Sequence, residues 1–188
     1  MHDNITKKYP KIGCCGIDCG LCPRYHTSGL SRCPGCLGKE FNEKHPSCSI
    51  ITCCTKKRGM ETCADCKEFI CPKMQNWDSA DSFVTHRNTI TNLKSIKKNG
   101  YDAFIKQQKM RIQLLEELIE KYDDGKSKSF YCLSAALLPI DELKQAIVKN
   151  ISQKETGYDK KQQAKALKNA FNNIAEKNKV ELIYRKKA

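Results

Sequence analysis

Twelve cysteines crowd the stretch from Cys14 to Cys71, and nothing else in the chain restricts its fold as much. They are Cys14, Cys15, Cys19, Cys22, Cys33, Cys36, Cys48, Cys53, Cys54, Cys63, Cys66 and Cys71; only Cys132 stands apart. Glycine and proline punctuate the same stretch, from Gly13 and Gly16 through Pro34-Gly35 to Gly59 and Pro72, and break up any helical or strand period. Apolar residues are sparse: Ile17, Leu21, Leu30, Leu37, Phe41, Ile50, Ile51, Met60, Phe69 and Ile70 are most of them. Ordering a residue costs about 1.5 kcal/mol, and so thin a core does not offset that cost. A structural zinc ion contributes roughly 10–16 kcal/mol in small finger peptides. The composition therefore calls for metal, or for docking on a partner domain, before this half can fold.

Metal ligation is favoured over disulfides by compartment and by count. The start of the chain, Met1 to Pro10, carries two lysines but no apolar stretch of a secretory leader. The most apolar run, Ser129 to Ile140, is about half the length of a membrane-spanning helix. The expectation is a cytoplasmic protein, in a compartment that keeps thiols reduced. Thirteen is an odd number, which also suits disulfides poorly. The formal charge is +13, and four thiolates around one zinc lower it by two. A basic chain permits contact with nucleic acid without requiring it, and lysine spread over helix faces is the plainer explanation.

Three Cys-x2-Cys pairs stand out: Cys19/Cys22, Cys33/Cys36 and Cys63/Cys66. This spacing brings two thiolates onto one ion from a tight turn. Cys48 with Cys53 or Cys54 makes a looser pair, and Cys15 and Cys71 flank the set. The candidate ligands are Cys15, Cys19, Cys22, Cys33, Cys36, Cys48, Cys53, Cys63, Cys66 and Cys71. One partition puts Cys19, Cys22, Cys33 and Cys36 on one ion and Cys48, Cys53, Cys63 and Cys66 on another. Cys15 and Cys71 then serve a third site or substitute in an interleaved one. His26 or His45 can complete a Cys3His set, though a loop histidine is the simpler reading of each. Zinc, as two or three ions, suits all-thiolate tetrahedral sites. The alternative is an iron–sulfur cluster: Cys15-x3-Cys19-x2-Cys22 has the spacing of radical S-adenosylmethionine enzymes, and Cys66-x4-Cys71-Pro72 the Cys-Pro ending of ferredoxin runs. The helical remainder lacks the alternating strands that a radical enzyme's barrel needs. Cys33-Pro-Gly-Cys36 lacks the preceding strand of a thioredoxin-like dithiol. Lys56-Lys57-Arg58 forms a basic tip that phosphate can contact, or that water simply solvates. No catalytic Ser/His/Asp set, paired carboxylates or phosphate-binding glycine loop is legible, so a non-enzymatic role is favoured.

After Trp77 the composition turns helical. Asp78 or Ser79 can cap a helix running to about Lys98, with Asn99-Gly100 as its stop. Further helices are expected over Tyr101–Tyr122, Ser129–Leu138, Asp141–Ile151 and Lys160–Lys177, from apolar steps of three and four. Residues 152–159 read as a polar loop, and Cys132 as a small core residue within an apolar helix. Val180 to Arg185 alternates weakly and suggests one short strand, with residues 8–13 as a conceivable partner. The predicted architecture is a small irregular Cys-rich metal-binding domain, residues 10–77, followed by an all-α C-terminal domain, residues 78–188.

The run Cys15-Gly-Ile-Asp-Cys19-Gly-Leu-Cys22-Pro-Arg-Tyr resembles the start of an uncharacterised prokaryotic Cys-rich family, the domain of unknown function numbered 3795. That family's pattern continues as Cys-x2-Cys, Cys-x-Ile-x2-Cys and Cys-x2-Cys-x4-Cys-Pro. Here these are Cys33/Cys36, Cys48-Ser-Ile-Ile-Thr-Cys53 and Cys63/Cys66/Cys71-Pro72. The resemblance spans about residues 13 to 75. Asp124 to Cys132 and the helix after it also look like tails attached to that family. Cys14 and Cys54 depart from the pattern by doubling its usual ligands. The resemblance implies metal binding and carries no established activity. The leading functional expectation is a zinc-stabilised interaction module for a protein or nucleic-acid partner; the rival is an iron–sulfur redox or sensing protein.

Overall fold

A computed structural model describes residues 6–45, 48–154, 157 and 159–186. The chain forms two compact units: Met1–Gln108 together with Tyr184–Ala188, and Lys109–Ile183. The described residues contain no β-strand.

The first unit holds the Cys-rich segment. Its helices are short, as the glycine and proline punctuation dictates: α1 is Phe41–Lys44, and α2 is Ser49–Ile51, which runs on as a wide π-helical turn over Thr52–Lys57. Single 3-10 turns form at Cys19–Leu21, Cys63–Asp65 and Pro72–Met74. The long helix α3, Thr89–Tyr122, is broken at Gly100, whose φ of 80° and ψ of 168° are not helical. The stop expected at Asn99-Gly100 is thus present as a break inside one helical stretch. The core of this unit combines both parts of the sequence. Ile12, Leu37, Phe41, Ile50, Ile51 and Met74 pack with Cys14, Cys15, Cys36 and Cys54, and α3 adds Leu93, Ile96 and Phe104. The helix thereby supplies apolar surface that the Cys-rich segment lacks.

Two expectations for this unit are corrected. The first helix does not start at Asp78 or Ser79 but at Thr89. Asp81 holds the intervening residues in a loop instead. Its carboxylate accepts bonds from the Thr85 hydroxyl (3.1 Å) and the His86 N–H (2.8 Å) and pairs with Arg87 at 3.3 Å. These local partners compete with the helical hydrogen bonds of the same residues. Second, Val180–Arg185 is not a strand. Arg185 N–H donates to the Asp81 carboxylate at 2.8 Å, its carbonyl accepts from Asp81 N–H at 2.9 Å, and its guanidinium bonds the Asp78 carbonyl. A loop held by one carboxylate offers this segment no extended ladder to join, and its partner is this loop rather than residues 8–13.

The second unit is helical throughout. It holds the end of α3, α4 (Lys128–Leu137), α5 (Ile140–Lys154) and α6 (Lys160–Lys177). Leu115, Leu118, Tyr131, Leu133, Leu138, Leu143, Leu167 and Phe171 are buried in it. Asp123 and Asp124 close the turn into α4 by accepting the N–H groups of Gly125, Lys126 and Ser127. Arg111 donates to the Ala135 and Leu138 carbonyls, satisfying the C-terminal end of α4. Asp159 and Gln162 form the capping box that starts α6. Cys132 is buried in α4, as expected of a core residue. The predicted loop 152–159 is shorter than expected, because α5 continues to Lys154; residues 155, 156 and 158 lie outside the described ones.

Candidate metal centre

The Cys-x2-Cys pairs owe their shape to local backbone bonds. Cys22 N–H donates to the Cys19 carbonyl and Cys66 N–H to the Cys63 carbonyl, each at 3.2 Å, so each pair brackets one 3-10 turn. Thr62 and Asp65 cap the second of these turns reciprocally. The Cys33/Cys36 pair is anchored differently: Cys36 N–H donates to the Pro10 carbonyl at 2.8 Å. Gly35 sits there with φ of 86°, and a side chain would run into Pro10. All thirteen cysteines are among the described residues, and no two are joined in a disulfide.

The fold sorts these thiols around two cavities. One, of about 370 Å³, is lined by Cys15, Cys19, Cys22, Cys33, Cys36 and Cys48 with Trp77, Phe41, Phe83 and His86. The other, of about 280 Å³, is lined by Cys53, Cys54, Cys63, Cys66 and Cys71 with Met60, Phe69 and Arg58. Cys48 therefore stands with the N-terminal cysteines, and Cys71 with Cys53, Cys63 and Cys66. The stretch from Ser49 to Lys57 explains the split, because it begins just after Cys48 and carries Cys53 and Cys54 along its wide turn. No three His, Cys, Asp or Glu side chains among the described residues meet at one point as the ligands of a single ion would.

Cys14, which the spacing treats as a surplus residue, connects the two groups. Cys36 donates to its sulfur at 3.7 Å, and the Thr55 hydroxyl is 3.2 Å away. The thiols of Cys36 and Cys54 both hydrogen-bond to it and hold it well below the usual thiol range. The same bonds, with burial, push Cys36 and Cys54 up. Cys54 also sits against Cys63 and lowers it. The buried Lys7 ammonium lies 3.9 Å from Cys14 and donates to the Ile12 carbonyl at 2.9 Å. A row of sulfurs, Cys36–Cys14–Cys54–Cys63, thus runs from one cavity wall to the other. Doubled cysteines at 14/15 and 53/54 are the only sequence sign of it.

Around the larger cavity, burial favours protonated thiols. It raises Cys15 to about 12, and lifts Cys19 and Cys22. Donors oppose it locally: Ile17 N–H at Cys15, and Arg24 and Tyr25 N–H at Cys22. The Trp77 side chain, on the cavity wall, also bonds to Cys15 and opposes the effect of burial there. In the smaller cavity, Arg58 donates to Cys66 at 3.1 Å and to Glu68 at 3.0 Å. Lys56 and Lys57 remain exposed, while Arg58 turns back onto a thiol. His45 lines the larger cavity, stacked on Phe41 at 4.6 Å, whereas His26 bonds the Gly20 carbonyl at 2.8 Å away from it.

A buried clasp holds the Cys15–Cys22 loop onto α3. Asp18 accepts from Asn92 Nδ2 at 2.9 Å and from Gln108 Nε2 at 2.8 Å, and Asn92 also donates to the Gly16 carbonyl at 2.9 Å. Gly16, at φ of 86°, lets the loop approach; a side chain there would come 2.7 Å from Leu93 Cγ and collide with the Thr89 carbonyl. The sequence shows Asp18 inside the cysteine motif but gives no sign that its partners lie so far along the chain.

No curated protein and no solved structure matches the chain. The family comparison covers about a third of its 188 residues and contains all twelve clustered cysteines. Residues 11–76 match the family described as "Protein of unknown function (DUF3795)", the one the cysteine pattern resembles.

Proposed function

We propose that residues 11–76 bind metal through thiolates, and that the bound metal holds this segment in the shape by which it engages a protein or nucleic-acid partner. The observation that carries the reading is the sorting of eleven cysteines onto the walls of two neighbouring cavities, with no disulfide among them. Reduced thiols grouped in this way serve a metal better than a core, because apolar side chains of similar size fill space without the cost of burying weak polar groups. Binding converts buried thiols to thiolates and releases protons. Zinc is the ion that an all-thiolate set suits on donor chemistry alone; the size of the cavities bears on that choice below. The reading places the protein in a reducing compartment, the cytoplasm. Among the described residues, no helix is long and apolar enough to cross a membrane. The exposed Lys56 and Lys57 are the residues proposed to meet a phosphate-bearing partner.

The test is elemental analysis of protein purified without oxygen, with Cys63→Ser/Cys66→Ser alongside. Stoichiometric metal in the parent chain and loss of metal and order from residues 14–77 in the variant are expected. A variant with native spectral dispersion and full metal content would refute the reading.

A further inference from the structure

The geometry points to iron–sulfur clusters, rather than single zinc ions, as the occupants of the two thiol-lined cavities. This rests on the metal–thiolate reading and names the cofactor. Three thiolates for the larger cavity come from the loop Cys15, Cys19 and Cys22, with Cys33 or Cys48 as the fourth. The smaller cavity supplies Cys53, Cys63, Cys66 and Cys71.

Size is the first argument. Four thiolates on one zinc, each about 2.3 Å from it, lie roughly 3.8 Å apart and leave nothing between them but the ion. Here the cysteines stand on the walls of open cavities of about 370 and 280 Å³ rather than around a single point. A cluster fills such space, because its inorganic iron and sulfide separate the ligating thiolates. The donor pattern is the second. Ile17 N–H and the Trp77 side chain bond Cys15, Arg24 and Tyr25 N–H bond Cys22, and Arg58 donates to Cys66. N–H donors to thiolate and bridging sulfide stabilise a cluster's negative charge and set its potential. The walls are the third. Phe41, Ile51 and Val84 on one side, and Met60, Phe69 and Met74 on the other, add apolar surface to cavities that stay open to solvent. Cys14 lines neither cavity and is assigned no ligand role; it lies between the two sites, within hydrogen-bond reach of one cysteine from each.

The experiment is iron, zinc and acid-labile sulfide analysis of the full chain after anaerobic purification, and again after incubation with ferrous iron, sulfide and dithiothreitol. Roughly four to eight iron per chain, an equal amount of sulfide and visible absorption are expected. Cys19→Ser and Cys66→Ser should each remove about half of the iron and sulfide, and the double variant nearly all. Two or three zinc per chain with no sulfide, and no iron uptake on incubation, would overturn the cluster assignment while leaving metal–thiolate binding intact. A folded, reduced chain that takes up neither metal would remove both. The parent chain's iron-to-sulfide ratio stands as a test even if a variant fails to fold.

Discussion

Asp81 holds the backbone in a loop ahead of α3. Burial alone would raise its carboxyl, but bonds from Arg185 N–H, His86 N–H and the Thr85 hydroxyl, with the Arg87 charge, hold it below the usual range. A depressed carboxylate contributes stability that is present above its unfolded value, near pH 4, and lost as pH falls through the folded value. Asp81→Asn should therefore cost about 2 kcal/mol near neutral pH and flatten the acid limb of the stability curve. Urea titrations between pH 2 and 7 read both effects; an unchanged acid limb would show that this carboxylate does not order the loop. Gly16 is the second residue to test. Gly16→Ala combines a left-handed backbone with a collision against α3 and should cost about 2–4 kcal/mol. Gly59→Ala, at φ of 64° but facing open space, should cost about 1 kcal/mol. Equal losses in thermal melts would mean that contact with α3 adds nothing.

Among the elements, α3 is tied directly to the candidate site, because its Asn92 and Gln108 hold Asp18, which lies between Cys15 and Cys19. Asn92→Ala leaves a buried carboxylate short of one donor, which costs about 1–3 kcal/mol. The variant should lose metal from the Cys15/Cys19/Cys22 side faster than the parent when challenged with a chelator. Equal release rates would separate the clasp from the site. The helices α4 to α6 were legible because their apolar residues recur at helical spacing; α6 begins and ends where the sequence places it. The start of α3 was not legible, because Asp81 takes partners that include Arg185, at the far end of the chain. Val180–Arg185 misled for a related reason: weak alternation describes an extended segment but not whether a ladder awaits it. At the candidate site, the cysteines and their pairings across two residues were visible. The grouping of Cys48 with the first set and the bridging position of Cys14 depend on how the Ser49–Lys57 stretch turns, which spacing does not encode.

Across the whole molecule, stability divides between two kinds of core. The unit Lys109–Ile183 buries leucine, tyrosine and phenylalanine on periodic helix faces. The Cys-rich unit has four cysteines within its central cluster and takes Leu93, Ile96 and Phe104 from α3 to enlarge it. Removal of metal should therefore leave the helices of residues 109–183 in place while residues 14–77 lose order. The most direct measurement is amide hydrogen exchange on reduced protein, before and after exhaustive chelation, with bound metal quantified in both samples. The account predicts stoichiometric metal at the start, then loss of protection across residues 14–77 with protection kept in α4 to α6. Unchanged protection of residues 14–77 in a reduced, metal-free sample would contradict it.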